Sequence, residues 1–449
     1  MSAELPKGWA SIKLEDHVYI AGRIGWRGLK RSEYANSGPL FLAVKNILPN
    51  GEIDFTETDH LSKERYDESP EIQLNVNDIL LTKDGTIGKV AMVQTLPAST
   101  TVNSSILVVR PKDRLLLARY LFHFLRGPQF QTIAHERITG SAIPHLFQKD
   151  IKQLQALVPP LSEQRRIVAK LEKLLDKVDA CQKRLEKIPV ILKRFRQSVL
   201  AAACSGRLTE DWRENNDPNK TEIINSDLPE KWRYGRLSDL CESIADGDHQ
   251  PPPKQNQGIP FLVIGNVSSG VLDFTQTRFV SQKYFEKIKP ERKPKIGDIL
   301  YTVVGATIGI PVIVDTNRSF CFQRHIALLR PSEHTTTGFL QIVMRTKDLY
   351  RQAWESVTGT AQPTLPLGNL RKLLVPIAPF AEQKEIVRRV EALFKIADQI
   401  EARYQKAQAH VDKLNQSILA KAFRGELVPQ DPDDEPADVL LERIRMDAN

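Results

Sequence analysis

Cysteine is scarce in this chain of 449 residues, and its four copies are widely scattered. They lie at positions 181, 204, 241 and 321, and no two of them form a CxxC pair. Structural zinc sites and the disulfide frameworks of small secreted domains need recognisable cysteine spacings. The sequence therefore predicts neither, and this cysteine usage is typical of a reducing cytoplasm, where we expect the protein to reside.

Long apolar runs are also missing. No window reaches the roughly 18 consecutive apolar residues that a membrane-spanning helix needs, and the first residues, MSAELPKGW, lack a signal-peptide pattern. A composition of 41% hydrophobic and 26% charged residues instead suits packed globular cores. We expect two to four domains and no association with a membrane.

Catalytic motifs are a third absence. Segment 85–89 is too short for a GxxxxGK[ST] phosphate loop, and the glycine-rich segment 22–28 is not flanked by a strand and a long helix. No Asn/Asp-Pro-Pro-Tyr/Phe motif of amino-methyltransferases occurs, and the nine histidines form no cluster with metal-ligand spacing. The sequence predicts a chain without catalytic residues, metal ligands or a cofactor of its own.

Positive charge is present in excess but unevenly distributed. The net charge is +8, yet the segment 428–449 has seven acidic and two basic residues, so the rest of the chain carries +13. Segment 162–207 alone has twelve Lys/Arg and five Asp/Glu. A basic body favours a polyanionic partner, although solvated helix faces also explain many such charges.

The chain contains an internal duplication with a period near 220 residues. Four short motifs occur twice, and their offset falls from 223 to 219: Leu5–Trp9 with Leu228–Trp232, Asp78–Thr82 with Asp298–Thr302, Thr139–Pro144 with Thr358–Pro363, and Pro160–Gln164 with Pro379–Gln383. This period is far longer than that of a solenoid repeat. It predicts a duplicated unit, each copy a domain of short strands followed by a long helix.

The two long helices, 162–203 and 381–422, carry matching apolar positions in alternating steps of four and three residues. This spacing is typical of a coiled-coil seam, and it predicts that the two helices pair. The predicted seam residues are Ile167, Leu171, Leu174, Val178, Leu185, Ile386, Val390, Leu393, Ile400 and Tyr404.

Local signals predict how these helices begin, break and end. Ser162 is a suitable N-cap of the first helix, and Pro189 predicts a break near 187–190 in that helix only. Gly206 and Gly425 stand where C-terminal glycines are expected. The acidic segment after Pro429 is expected to be ordered only in part.

Together these patterns predict an α+β protein with two globular domains of mixed helix and strand, separated by two long helices that pack as an antiparallel coiled coil with pseudo-twofold symmetry. The expected segments are a first globular domain, a first helical spacer, a linker, a second globular domain, a second helical spacer and an acidic tail: 1–157, 158–208, 209–227, 228–376, 377–427 and 428–449.

Polar residues on predicted loops are the candidates for DNA recognition. Arg, Lys, Gln and Asn can give directed readout of base edges, and basic side chains contact phosphates, although surface polarity alone also accounts for such residues. The loop 21–36 is basic and aromatic, whereas its counterpart near 246–257 differs in length and chemistry. The candidates are Arg23, Arg27, Lys30, Arg31, Lys83, Asn103, His145, Gln148, His249, Lys254, Gln323, Arg324, His325, Gln362 and Thr364.

Geometry connects the two halves. Antiparallel pairing would relate the repeats by a twofold axis, and segment 162–187 is about 39 Å long as a helix. Half-sites one turn apart on DNA are separated by about 34–36 Å. Because the two domains differ, we expect a bipartite, asymmetric DNA target with a fixed unread gap.

These residues resemble the specificity subunit (HsdS) of Type I restriction–modification enzymes. The resemblance rests on Pro159–Val168, Leu192–Leu200, Glu382–Val390 and Gln416–Leu427, and it covers essentially the whole chain. It implies a non-catalytic scaffold that reads double-stranded DNA, with the first domain reading the 5′ half-site. Ala381 and Pro189 depart from the family pattern and bear on local helix geometry only.

The resemblance also implies partner subunits. Two adenine-N6 methyltransferase subunits and two ATP-driven restriction subunits are expected to bind, and S-adenosylmethionine, ATP and magnesium would belong to them. Basic residues off the seam are candidates for partner docking: Arg165, Arg166, Lys193, Arg194, Arg388, Arg389 and Arg424. The alternatives are a stand-alone DNA-binding or architectural protein, and an enzyme with an unrecognised active site.

Overall fold

The computed structural model describes residues 5–23, 33–139, 145–216, 228–247, 252–253, 255–359 and 361–447. The chain divides into two compact units. Unit 1 comprises residues 1–185 and 406–449, and unit 2 comprises residues 186–405. Each unit therefore combines a sheet-containing domain with parts of both long helical segments.

Unit 1 begins with short strands and helices and ends with a long helix. Its elements up to that point are β1 Ala10–Lys13, α1 Leu14–His17, β2 Val18–Gly22, β3 Ala35–Leu42, β4 Asp59–His60, α2 Lys63–Asp67, β5 Ile79–Thr82, β6 Val90–Met92, β7 Thr100–Val102, β8 Ile106–Pro111, α3 Ala118–Arg126, α4 Pro128–Thr139, α5 Gln148–Lys152, β9 Gln155–Val158 and α6 Leu161–Leu185.

Unit 2 follows the same order after two helices. Its elements are α7 Ile188–Cys204, α8 Glu210–Asn216, β10 Arg233–Arg236, β11 Cys241–Asp246, β12 Ile259–Leu262, β13 Arg278–Val280, α9 Gln282–Lys287, β14 Ile299–Thr302, β15 Pro311–Ile313, β16 Cys321–Phe322, β17 Ile326–Pro331, α10 Thr337–Met344, α11 Lys347–Glu355, α12 Leu367–Lys372 and β18 Leu374–Ile377. Helix α13, Phe380–Phe423, continues from unit 2 into unit 1, which closes with α14, Ala437–Asp447.

The sheets of the two units have the same topology. Each unit has an antiparallel four-stranded sheet, with strand orders β2-β8-β5-β6 and β11-β17-β14-β15. Each also has a three-stranded sheet, β4-β3-β7 or β13-β12-β16, and a two-stranded sheet, β1-β9 or β10-β18. The predicted α+β class and internal repeat are thus confirmed.

Strand β5 is buried along its whole length because apolar cores cover both faces of the four-stranded sheet. Ile79 and Leu81 lie in the core that includes α3 and α6, whereas Leu80 lies in a second core with Val102. This placement follows from the alternation of side chains along a strand. In unit 2, β14 is buried in the same way.

Equivalent polar contacts fix the frame of both domains. The Arg110 and Arg330 guanidinium groups each bind a buried carboxylate through two nitrogens, that of Asp78 or of Asp298. Asn46 also binds backbone groups through its side chain, and a short 3-10 helix places it there. Strand β3 therefore ends at Leu42, because the backbone must turn to bring the Asn46 amide inward.

The long helices pack antiparallel. The first turns of α6 share the unit 1 core with the last turns of α13, through residues such as Leu171 and Leu419. The last turns of α7 share the unit 2 core with the first turns of α13, through residues such as Leu200 and Ile386. Apolar residues from the two helical segments thus meet within each unit, and the predicted antiparallel pairing is confirmed.

The predicted break occurs in the first long helix only. Helix α6 ends at Leu185 and α7 begins at Ile188, with Pro189 in its first turn, whereas α13 is continuous. Gly206 and Gly425 adopt positive φ angles of 76° and 77° just beyond the helix ends, as predicted. The N-cap prediction for Ser162 is wrong, because α6 begins one residue earlier and Ser162 lies inside its first turn.

The acidic tail is more ordered than its composition predicts. Residues 437–447 form α14, whose Leu440 and Leu441 are buried in the unit 1 core. Asp434 accepts hydrogen bonds from the Arg166 guanidinium at 2.6 and 3.1 Å. The burial of these two leucines therefore anchors a segment whose overall charge predicts only partial order.

Candidate nucleic-acid interface

Three backbone segments meet at the same place in each unit. In unit 1, the Lys83 amide donates to the Ser105 carbonyl at 2.8 Å, and the Leu146 amide donates to the Lys83 carbonyl at 3.0 Å. In unit 2, Val303 makes the corresponding bonds with His325 and Leu365, at 3.1 and 2.8 Å. In both units three segments thus converge: the end of β5 or β14, the turn before β8 or β17, and the segment before α5 or α12.

The convergence in unit 2 encloses a cleft of about 310 Å³. Four of the predicted DNA-binding residues line it together, and apolar residues line most of the remainder; the lining comprises Asp246, Val303, Val304, Arg324, His325, Gln362, Thr364, Leu365, Pro366 and Leu367. Predicted Gln323 is not among the lining residues, although its amide joins the turn to Leu262 at 3.0 Å. The cleft offers charged, amide and hydroxyl groups beside an apolar surface.

Three ionisable side chains set the electrostatics of the cleft: Asp246, Arg324 and His325. Burial lowers the pKa of His325, and the adjacent Arg324 charge lowers it further. The imidazole is therefore neutral near pH 7, with one donor and one acceptor nitrogen. Asp246 forms an ion pair with Arg292, whose Nη2 lies 2.9 Å from Oδ1. Arg324 itself is exposed.

The corresponding place in unit 1 has different chemistry. His145 Nδ1 lies within hydrogen-bonding distance of the Asp84 carboxylate, and its ring packs edge-on against Phe147 at 4.5 Å between centroids. Lys83 and Gln148 are half-buried beside this pair. The Asn103 side chain accepts a hydrogen bond from the Ser105 amide at 3.0 Å, so one of its acceptor positions is used within its own turn.

Several predicted residues are placed differently or lie outside the described part of the chain. Arg23 is only 3% exposed, and its guanidinium lies 5.8 Å from the centre of the Phe41 ring. A side chain that contacts phosphate from a loop must be exposed to solvent, so the structure does not place Arg23 as predicted. Five candidates fall outside the described residues: Arg27, Lys30, Arg31, His249 and Lys254.

The seam residues are buried toward the helix ends and more exposed toward the middle of the helical segments. Burial is complete or nearly so at Ile167, Leu171, Val178, Ile386 and Val390. Side chains of intermediate exposure are Leu174, Leu185, Leu393 and Tyr404. Ile400 is 42% exposed, so the burial expected of a seam residue is wrong there.

The predicted partner-docking residues fall into two groups. Four form ion pairs within the chain: Arg166 with Asp434, Arg388 with Glu385, Arg389 with Asp211 and Glu385, and Arg424 with Glu426. Arg165, Lys193 and Arg194 are exposed. The second group presents its charges outward, whereas part of the charge of the first group is neutralised internally.

A pair of buried glutamates attaches each domain to a long helix, and sequence reasoning missed this contact. Trp9 Nε1 donates to Glu163 Oε2 at 3.1 Å, and Trp232 Nε1 donates to Glu382 Oε2 at 2.8 Å. Each bond joins the first strand region of a domain to the first turn of a long helix. The repeated tryptophan and the repeated Glu-Gln dipeptide are visible signals, but their contact over about 150 residues is not.

The adjacent glutamines complete this attachment. Gln164 accepts from the Leu117 amide at 2.9 Å and donates to the Leu115 carbonyl at 2.8 Å. Gln383 accepts from the Thr336 amide at 2.9 Å and donates to the His334 carbonyl at 3.1 Å. The motif that carries the family resemblance is thus a structural attachment between helix and domain.

Within the described ranges, no group of three or more His, Cys, Asp or Glu side chains is arranged to hold a metal ion. None of the helices in those ranges has the length and apolarity needed to cross a membrane.

Comparisons with known proteins agree with this architecture. The family model for the Type I restriction modification DNA specificity domain matches residues 7–190 and 229–409, once in each repeat. The EcoBI specificity subunit of Escherichia coli is 36% identical over 343 residues, covering 73% of this chain and 71% of that protein. The EcoKI specificity subunit of E. coli strain K12 is 29% identical over 464 residues, covering 99% and 97%.

Two solved structures share the fold. A chain of a type I R-M system, from work on complex assembly and conformational transition, has a TM-score of 0.70 at 20% identity and covers 94% of this chain and 99% of its own length. The HsdS subunit from Thermoanaerobacter tengcongensis has a TM-score of 0.60 at 21% identity, covering 95% and 99%. With a family match in both repeats, the chain belongs to the family of Type I restriction–modification DNA specificity subunits.

Proposed function

We propose that this chain is the non-catalytic DNA-reading subunit of a Type I restriction–modification complex, and that its target is bipartite and asymmetric. The observation that carries the proposal is the pair of equivalent backbone convergences with unlike side chains. His145 beside Asp84 in unit 1 stands where Thr364 beside Val304 stands in unit 2. Two equivalent backbone arrangements that carry different polar side chains suit the recognition of two different half-sites.

Base recognition is assigned to the polar side chains of these two places. Arg324 and Gln362 in unit 2 are of the types that bind guanine and adenine through paired hydrogen bonds. His145, held by Asp84, and Lys83 supply donors in unit 1. The unread gap between the half-sites follows from the helical segments that separate the two domains in the sequence.

The partners proposed for this chain are double-stranded DNA, two methyltransferase subunits and two restriction subunits. S-adenosylmethionine, ATP and magnesium would be bound by those subunits and not by this chain. The exposed Arg165, Lys193 and Arg194 are the best supported docking residues of the predicted set, because their charges are presented to solvent. Buried glutamates and glutamines at the helix starts serve attachment within the chain instead.

The test is a domain exchange read by mapping adenine methylation in cells that carry this gene with its methyltransferase partner. Replacing residues 230–376 by those of another specificity subunit is expected to change one half of the methylated sequence and leave the other half and the gap unchanged. Survival of both half-sites would contradict the proposal. Specific binding without any dependence on partner subunits would favour a stand-alone DNA-binding protein, and methyl transfer by the purified chain alone would show an enzyme.

A further inference from the structure

A strongly basic surface lies on unit 2 at residues 282–295, which we name the basic shoulder. It consists of α9, the 3-10 helix Pro290–Arg292 and the residues that lead to β14. The segment contains six Lys/Arg and two Glu. Four of its lysines, Lys283, Lys287, Lys289 and Lys295, are exposed, and none of them forms an ion pair with another described residue.

The equivalent surface of unit 1 has the opposite charge. Residues 63–75 contain two Lys/Arg and four Asp/Glu. The backbone frame is nevertheless the same, because Asp78 accepts from the Asn75 amide at 2.7 Å and Asp298 accepts from the Lys295 amide at 2.9 Å. The fold therefore does not require the positive charge of the shoulder, which is a property of unit 2 alone.

The basic shoulder is connected directly to the cleft of unit 2. Arg292 Nη2 lies 2.9 Å from Asp246 Oδ1, and Asp246 lines the cleft together with Arg324. Strand pairing identifies the equivalent positions in unit 1. Asp246 is the last residue of β11 and pairs with Ala327, and Gly22 is the last residue of β2 and pairs with Leu107, so Gly22 takes the place of Asp246. Ile72 occupies the place of Arg292. The ion pair that joins cleft and shoulder thus has no counterpart at these positions of unit 1.

We propose that the basic shoulder binds the phosphate backbone of DNA beside the half-site read by unit 2, and that unit 1 lacks this contact. This inference rests on the proposed DNA-reading function. Lysines on a flexible stem form sequence-independent contacts with phosphates, which position a duplex without reading it. The shoulder lies next to the cleft, so a duplex whose base edges reach Arg324 has its backbone within reach of the lysines. The two half-sites are consequently held with unequal dependence on salt.

The test is a salt titration of DNA binding by the full-length chain assembled with its methyltransferase partner. Binding is monitored by the fluorescence anisotropy of a labelled duplex that carries the target sequence mapped by methylation. The variant changes Lys283, Lys287, Lys289 and Lys295 to Gln together. The slope of log Kd against log salt is expected to become shallower by about 0.9 for each phosphate that the variant no longer binds. Affinity is expected to fall to a similar extent for all sequences. Hydrogen exchange of the variant checks that the exposed substitutions leave the fold intact.

A charge-matched control changes four exposed lysines of unit 2 outside the shoulder: Lys347, Lys372, Lys384 and Lys395. Its slope is expected to equal that of the wild type. A reciprocal variant, with Asp67, Glu71 and Asn75 changed to Lys, is expected to steepen the slope by adding contacts in unit 1. An unchanged slope in the shoulder variant, or an equal change in the control, overturns the inference while target binding by the wild type persists. Absence of target binding by the wild type overturns the proposed function as well.

Discussion

The buried glutamates at the starts of the two long helices predict a difference in stability between the units. Glu382 is 1% exposed and its carboxylate accepts from Trp232 Nε1, from Thr209 Oγ1 at 2.6 Å and from Arg213 Nη1. Glu163 is equally buried and accepts from Trp9, but its Oε1 has no hydrogen-bond partner among the described residues. We therefore expect Glu382→Gln and Glu163→Gln to have different effects.

The magnitudes follow from what each amide would meet. In Glu382→Gln the new NH₂ group faces the Trp232 donor if it replaces Oε2, or the Thr209 and Arg213 donors if it replaces Oε1. The Arg213 ion pair is removed in either case, and the change costs about 2–3 kcal/mol of unit 2 stability. In Glu163→Gln the Trp9 hydrogen bond is retained by the amide oxygen, and a buried charge is removed. The change in unit 1 stability at pH 7 is therefore expected to stay within about 1 kcal/mol.

The raised pKa of Glu163 predicts the direction in which the stability of unit 1 changes with pH. Burial raises the pKa of Glu163, while the Trp9 hydrogen bond and the Arg166 charge oppose the shift. Because the pKa of Glu163 is higher in the folded than in the unfolded state, protonation of this carboxyl favours folding. Its contribution to stability is therefore fully present below about pH 4.5 and is lost as the pH rises through the folded-state pKa. The glutamine variant should therefore gain stability relative to the wild type between about pH 4 and pH 7.

The assay is hydrogen exchange of the full-length chain, because protection can be followed separately in each unit. Peptides from β9 and α6 report on unit 1, and peptides from β18 and the first half of α13 report on unit 2. Glu382→Gln is expected to accelerate exchange in unit 2 by about 30- to 150-fold, since each 1.4 kcal/mol is tenfold. Equal acceleration by both variants, or a wild-type advantage of Glu163 that grows with pH, would refute the reasoning.

Three further predictions follow from the packing and the cleft. Leu171→Ala, at a fully buried seam position, should cost about 2–5 kcal/mol in urea unfolding, whereas Ile400→Ala, at a 42% exposed one, should cost less than about 1 kcal/mol; similar costs would contradict the packing. Burial lowers the pKa of His123, so the free energy of unfolding should fall as the pH drops below about 6.5. His123→Gln should remove this part of the pH dependence of the unfolding midpoint, and an unchanged pH profile in the variant would contradict the prediction. Arg324→Ala should weaken binding of the target duplex by about 1–3 kcal/mol and relax preference at one base pair of the unit 2 half-site, measured by anisotropy with substituted duplexes; uniform weakening would instead indicate a phosphate contact.

The features that could be predicted from sequence are those set by local chemistry or by exact repetition. Pro189 lacks an amide hydrogen and must disturb a helix, so the break at 185–188 was predictable. The period near 220 residues predicted two equivalent domains because the same motifs recur in the same order. Alternating steps of four and three residues predicted the helix pairing, although they could not show that Ile400 remains exposed.

The rest depends on contacts between distant residues. The contact of Trp9 with Glu163 spans 154 positions, and no local pattern indicates it. Ser162 has the chemistry of an N-cap, but helix α6 begins one residue earlier, at Leu161. The charge of the tail predicts partial order, whereas the burial of Leu440 and Leu441 in the unit 1 core holds α14 in place. The grouping of Arg324, Gln362 and Thr364 into one cleft likewise needs the folded backbone.

The comparison of the two units indicates how one frame can carry different specificities. The frame is held by buried polar contacts that are the same in both units, such as Asp78 with Arg110 and Asp298 with Arg330. Breaking such a pair costs about 3–5 kcal/mol because it leaves a buried charge uncompensated, so these residues are constrained by stability. Arg324 and Gln362 are exposed and are not needed for the fold, which is why their counterparts in unit 1 can differ. On the proposed function, stability and recognition therefore depend on separate residues, and we expect that the base preference of one unit can change without changing the frame that holds it.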